Sequence, residues 1–149
     1  MSNPVTCTSG SKPTYIYKLV NYSSPTPTSV EDFPEKLPVS PIDECSGFLH
    51  FSTAKQVPNT LKYFFGTDPH VYILRIPYDK VEKDIKWEDP KAEVCGPRGG
   101  EGMFPHVYNG LKLGKEEVES VRVIYRRANS DKGGGWDAAL QESADWLIY

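Results

Sequence analysis

No stretch of the 149-residue chain approaches the ~18 consecutive apolar residues that a bilayer-crossing helix needs. The first residues lack a basic segment followed by an apolar one, so no secretory leader is expected and the chain reads as cytoplasmic. Cysteine is scarce: Cys7, Cys45 and Cys95 stand far apart and make an odd set. Such spacing fits neither a disulfide framework nor a zinc site, so free thiols and no metal are expected. Charge of one sign is also lacking. A net charge of −3 argues against an extended nucleic-acid surface, while leaving room for a pocket that takes a small molecule or a nucleotide. No dinucleotide fingerprint, phosphate-binding loop or nucleophile elbow occurs, and neither internal repeats nor heptads are visible.

What is present is ordinary for a globular domain. Apolar residues make up 38% and charged residues 25%, enough to bury one core without staples. Residues 1–13 are polar and read as a disordered tail. Alternating aromatic and β-branched residues at 15–20 predict a first strand. Residues 21–41 are proline-rich and read as a long surface excursion with a helical turn near 29–33. A short buried strand at 47–51 should run into Ser52 and Thr53 as helix caps, with Gln56 completing a capping box. Pro58 then fits the start of a second helical piece that ends at Gly66.

The near-continuous apolar run at 71–76 predicts a central strand. A turn or helix at 78–83 and a strand at 85–88 follow. Residues 89–102 are rich in glycine and proline, with 99–102 the most mobile part. Residues 104–108 lead to Asn109-Gly110, a favoured hairpin dipeptide, and a return strand at 111–113. A last strand is expected at 120–126. A glycine-rich linker at 129–135 precedes an amphipathic helix at 136–147, which must dock on its own domain or on another copy. The sum is an α+β domain with short, mostly antiparallel strands in a split sheet and a few short helices.

Two of three histidines stand in unusual places. His50 lies in a buried strand just before Ser52 and Thr53. A helix beginning there would present free N–H groups and two hydroxyls to an anion. His106 follows a glycine-rich loop and is flanked by Phe104 and Tyr108. The plain alternative for each is a hydrogen-bonded structural histidine. Glu88 and Glu101 bracket the mobile loop, and either is a candidate general base or a solvated carboxylate. Lys18, on the first strand, is a candidate cation for a ligand or a surface lysine. Cys95 has no basic neighbour in sequence that would make it a nucleophile.

The strings Ile16-Tyr-Lys-Leu19, Asp43-Glu-Cys-Ser-Gly47-Phe-Leu-His50-Phe-Ser52-Thr53-Ala-Lys-Gln56, Trp87-Glu88 and Phe104-Pro-His106-Val-Tyr108 occur in that order. Together they resemble the domain of unknown function 952, over about 15–125. The long 21–41 excursion and Pro58 resemble a fungal-type variant. The resemblance divides the chain into a tail at 1–13, a family domain at 14–128 and a linker with a docking helix at 129–149. It also implies a fold similar to the ADP-ribosyltransferases and RNA 2′-phosphotransferases, and NAD as a cofactor. Lys18, Ser52, Thr53, Gln56 and Tyr108 would then bind ligand, with Glu88 or Glu101 as the acid.

Three functions stay open at this point. One is an NAD-type transferase or glycohydrolase. The second is a small-molecule enzyme with His50 and His106 as an acid–base pair. The third is a ligand-binding module without catalysis, and each is compatible with a homo-oligomer formed through the C-terminal helix.

Overall fold

The structure, a computed structural model, describes residues 11–24, 26–127 and 132–149. The expected tail over 1–10 and the expected linker over 129–131 lie outside the described residues. In chain order the elements are Tyr15–Asn21 (β1), Pro41–Ser46 (α1), Leu49–His50 (β2), Val57–Phe64 (α2), His70–Pro77 (β3), Tyr78–Val81 (α3), Ile85–Glu88 (β4), Phe104–Val107 (β5), Ser120–Tyr125 (β6) and Asp137–Glu142 (α4). Short 3-10 turns occur at Val30–Asp32, Glu82–Asp84 and Lys132–Gly135.

The described strands form two antiparallel three-stranded sheets, β1-β3-β6 and β2-β5-β4. β3 is central because both of its faces are apolar. Leu74 and Ile76 join Ile16 in a core shared with Leu49, Trp87 and Val107 of the second sheet. Val71 and Ile73 face the other way, into a core with Tyr17, Leu61 of α2 and Trp136. A backbone bridge joins the sheets, with Tyr17 N donating to Ser52 O at 2.8 Å and Ser52 N to Tyr17 O at 2.9 Å.

A single turn follows that bridge, with Gln56 N and Val57 N both donating to Thr53 O, and the second helical piece begins where Pro58 placed it. α2 starts at Val57 with Pro58 in its first turn and Gln56 as its N-cap residue. Half of the anticipated capping box survives, since Thr53 N donates to Gln56 Oε1 at 2.9 Å. The return strand at 111–113 does not form. Instead Asn109 closes a turn with its own side chain, accepting from Lys112 N at 3.1 Å and donating to Lys112 O at 2.8 Å. Gly110 and Leu111 both take positive φ inside it.

The helix expected at 136–147 is confined to α4. Past it the chain turns back to the first sheet, where the Tyr17 hydroxyl accepts from Ile148 N at 2.7 Å. Trp136 is fully buried and donates to Phe65 O at 3.2 Å, while Trp146 is half-buried against Tyr17. The apolar face of α4 therefore finds its partner within the same chain.

Candidate active site

The second sheet has one face on the core. Leu49, Phe51, Trp87 and Val107 belong to it. By the two-residue period of a strand, their neighbours in sequence occupy the opposite face. Those neighbours are Phe48 just before β2, His50 on β2, His106 on β5, Tyr108 just past β5, and Glu88 on β4. Polar residues and Phe48 thus collect on one side of a small sheet whose other side packs on the core and reaches the cleft at Leu49 and Phe51.

His50 and His106 are direct cross-strand partners. Their ring centroids are 5.0 Å apart, and Phe48 lies 4.5 Å from each ring. Lys86 is opposite His106 on β4, which puts Glu88 two residues along the same face, within diagonal reach. His106 Nδ1 and Glu88 Oε1 are 2.9 Å apart, and the Tyr108 hydroxyl donates to the same oxygen at 2.6 Å.

The second carboxylate comes from α1. Ser40 caps that helix by accepting from Asp43 N at 3.3 Å, Pro41 opens it, and Gly47 closes it with φ near 82°. The left-handed turn at Gly47 suits a residue without Cβ, and it folds β2 back along the helix. Asp43 is thereby brought to His50, seven residues on. Its Oδ1 accepts from His50 N at 3.1 Å and lies 2.6 Å from His50 Nδ1. Its Oδ2 pairs with the Lys18 ammonium, which also donates to His50 O at 2.9 Å.

These contacts set the protonation states. Burial would raise the Asp43 carboxyl, but hydrogen bonds from His50 and the charge of Lys18 outweigh it and hold the group below the ordinary carboxylate range. Burial pushes the Lys18 ammonium down, against the pull of Asp43. Burial also lowers His106; the neighbouring His50 adds to that, and Glu88 opposes it. The Tyr108 phenol is pushed up by burial and by its bond to Glu88, so it stays a donor. An ionised carboxylate only accepts, so each imidazole carries its proton on Nδ1 and each Nε2 holds a lone pair when the ring is neutral.

Both imidazoles line a cleft of about 990 Å³, together with Lys18, Asp43, Ser52 and Thr60. Ser52 Oγ and Thr60 Oγ1 are 3.2 Å apart. Among the described residues Thr53, Gln56, Glu88, Glu101 and Tyr108 stay off its wall. Gln56 ties α2 to the loop before β5, donating to Met103 O at 2.7 Å. Glu101 is exposed in that loop, away from the histidines' hydrogen bonds. The loop itself is pinned by Gly96 N to Trp87 O, Gly100 N to Pro97 O and Met103 N to Gly100 O, each near 3.0 Å. The backbone N–H groups of Ser52 and Thr53 are taken, by Tyr17 O and Gln56 Oε1, which leaves the Ser52 hydroxyl as the part of that expected anion site on the cleft wall.

Two residues of the site, Asp43 and Phe48, were not singled out in the sequence as functional. Asp43 stands there only within a string that carries the resemblance; its spacing from His50, with a glycine between, was the available signal.

The profile of a family described as protein of unknown function (DUF952) matches residues 27–121. The chain belongs to the DUF952 family. The DUF952 match takes in Asp43, His50, Glu88 and His106, and leaves out Lys18 and α4. Among curated proteins nothing matches. The crystal structure of protein CC0527 from Caulobacter crescentus is similar with a TM-score of 0.56 at 25% identity, over 86% of this chain and 99% of that one. A double mutant of CC0527 gives the same values. The solution NMR structure of CC0527 gives a TM-score of 0.52 at 25% identity, over 78% of this chain and 89% of that one.

Proposed function

We propose that the protein is a small-molecule enzyme working by general acid–base catalysis, with His50 and His106 as the proton-transferring pair. The observation that carries this reading is the double anchoring of facing imidazoles: each has its Nδ1 on a buried carboxylate and each borders the cleft. Anchoring fixes tautomer and ring orientation, which is what a general base needs from its supporting acid. His106, kept neutral by burial, takes a proton from the substrate on Nε2. His50 delivers one from its Nε2 to the atom that gains negative charge. Two charged imidazoles 5.0 Å apart disfavour each other, so beyond the two Nδ1 protons the pair carries one further proton, on His50 Nε2 before the step and on His106 Nε2 after it. Exchange with water resets it.

A transferase acting on NAD draws its support from the resemblance and asks more of the same residues. It needs Lys18 to meet a pyrophosphate and Glu88 or Glu101 to meet a ribose, whereas Lys18 is committed to Asp43, Glu88 to His106 and Tyr108, and Glu101 is exposed off the cleft wall. The acid–base reading uses these contacts as they stand and is preferred. Alkyl esters, amides and enolisable ketones, followed by proton NMR in D2O for hydrolysis or deuterium uptake, test it. Turnover that His50→Gln and His106→Gln each remove supports the pair. No turnover in any class leaves a binding module, and turnover that both variants keep removes the pair from the chemistry.

A further inference from the structure

Beyond the histidines the cleft is walled by apolar side chains. Leu37, Phe51, Leu111 and Leu113 line its interior. Ile42 of α1 and Phe64 of α2 border it while remaining 61% and 73% exposed. Large apolar side chains left open beside a concave apolar wall mark a surface that gains from being covered. The volume, about 990 Å³, sits at the upper end of the ~300–1,000 Å³ range of small-molecule sites.

The charges at the polar end define the other half of the ligand. Two buried carboxylates, Asp43 and Glu88, stand behind the imidazoles against one buried ammonium, Lys18, which is paired with Asp43. The remaining lining cation, Lys91, belongs to an exposed residue. With both imidazoles neutral, an anionic head beside them would meet an excess of negative charge in a poorly screened place. An uncharged group meets no such penalty, and the two Nε2 atoms with the Ser52 and Thr60 hydroxyls can donate to it or accept from it.

We propose that the substrate is amphipathic, with a medium-length alkyl chain along the Phe51 and Leu113 wall, emerging between Ile42 and Phe64, and an uncharged hydrogen-bonding head at His50 and His106. This rests on the acid–base reading for which end reacts. It does not rest on that reading for what binds.

Calorimetric titration of the full chain with butanamide, octanamide and octanoate at pH 8 tests it. Octanamide is expected to bind at least about tenfold more tightly than butanamide, because four further methylenes leave water. Octanoate is expected to bind about tenfold or more weaker than octanamide. Phe64→Ser, at an exposed position that leaves the fold intact by its amide NMR spectrum, should cut the preference for octanamide about threefold or more. Equal affinities for butanamide and octanamide, a preference unmoved by Phe64→Ser, or octanoate binding as tightly as octanamide would each overturn the proposal. Octanamide binding alongside turnover indifferent to His106→Gln would keep the ligand class and remove the acid–base reading. The reverse pattern would do the opposite.

Discussion

His50 and His106 face each other across adjacent antiparallel strands, and each gives its Nδ1 to a different buried carboxylate. The two acids come from unrelated elements, Asp43 from a six-residue helix and Glu88 from the far strand of the sheet. The pair is symmetric in chemistry and asymmetric in surroundings. Asp43 is shared with the Lys18 ammonium, whereas Glu88 is shared with the neutral Tyr108 hydroxyl.

Removing one member of the buried Asp43–Lys18 pair should be costly. Asp43→Asn leaves the largely buried ammonium without its counter-charge, at a cost of about 3 kcal/mol or more. Adding Lys18→Met to that variant should restore part of the loss. Urea denaturation of the three proteins measures both steps, and an Asp43→Asn protein as stable as the parent would contradict the pairing.

Acid should destabilise the protein in two windows. His106 lies below its ordinary 6.5 when folded, so the unfolded chain takes up that proton first. Its contribution is therefore complete above about pH 6.5 and is lost as pH falls through the lower folded value. Asp43 lies below its ordinary 3.8, so its contribution is lost only in stronger acid. His106→Gln should flatten the first window and leave the second. Denaturation curves of the two proteins that run parallel from pH 8 to pH 5 would count against the depressed imidazole.

The C-terminal segment should carry much of the stability of the first sheet. Trp136→Ala empties a fully buried site under α2 and should cost about 3–5 kcal/mol. Tyr17→Phe, which removes the hydroxyl bonded to Ile148 N, should cost about 1 kcal/mol and quicken amide exchange at Ile148. A Trp136→Ala protein with unchanged denaturation would show that α4 does not belong to the core.

Gln56 joins the start of α2 to the loop before β5 through Thr53 N and Met103 O. Gln56→Ala should cost about 2 kcal/mol for the two bonds and quicken amide exchange over 96–103. Exchange that stays as slow as in the parent would show that the glycine loop is held by its own turns.

The strands were legible because their signal is local. The apolar run ending at Ile76 announces a strand buried on both faces, and β3 is one. Alternation in Phe104-Pro-His106-Val-Tyr108 places both polar rings on one face, which is where they lie. Asp43 was not legible as a site residue, because its role depends on a reversal at Gly47 that sets a helix against a strand. α1 itself carried its signals, Ser40-Pro41 at one end and Gly47 at the other, in a segment whose prolines argued for loop. Lys18 read as available for a ligand because nothing near it in sequence shows the carboxylate that claims it. The turn at Asn109 went astray for a related reason: the side chain of Asn109 replaced the strand ladder that the dipeptide usually begins.

The central claim is that His50 and His106 form one coupled pair whose Nε2 atoms are free to exchange protons. Long-range proton–nitrogen NMR of the imidazoles, titrated from pH 8 to pH 5, measures this directly, with His70, set among the rings of Tyr22, Tyr72 and Tyr125, as the internal reference. At pH 8 both site histidines should show the proton on Nδ1 and a bare Nε2. In the His50→Gln protein the titration of His106 should move to higher pH, because the neighbouring charge that opposes its protonation is gone. A proton on Nε2 of either ring at pH 8, or a His106 titration indifferent to His50, would contradict the account.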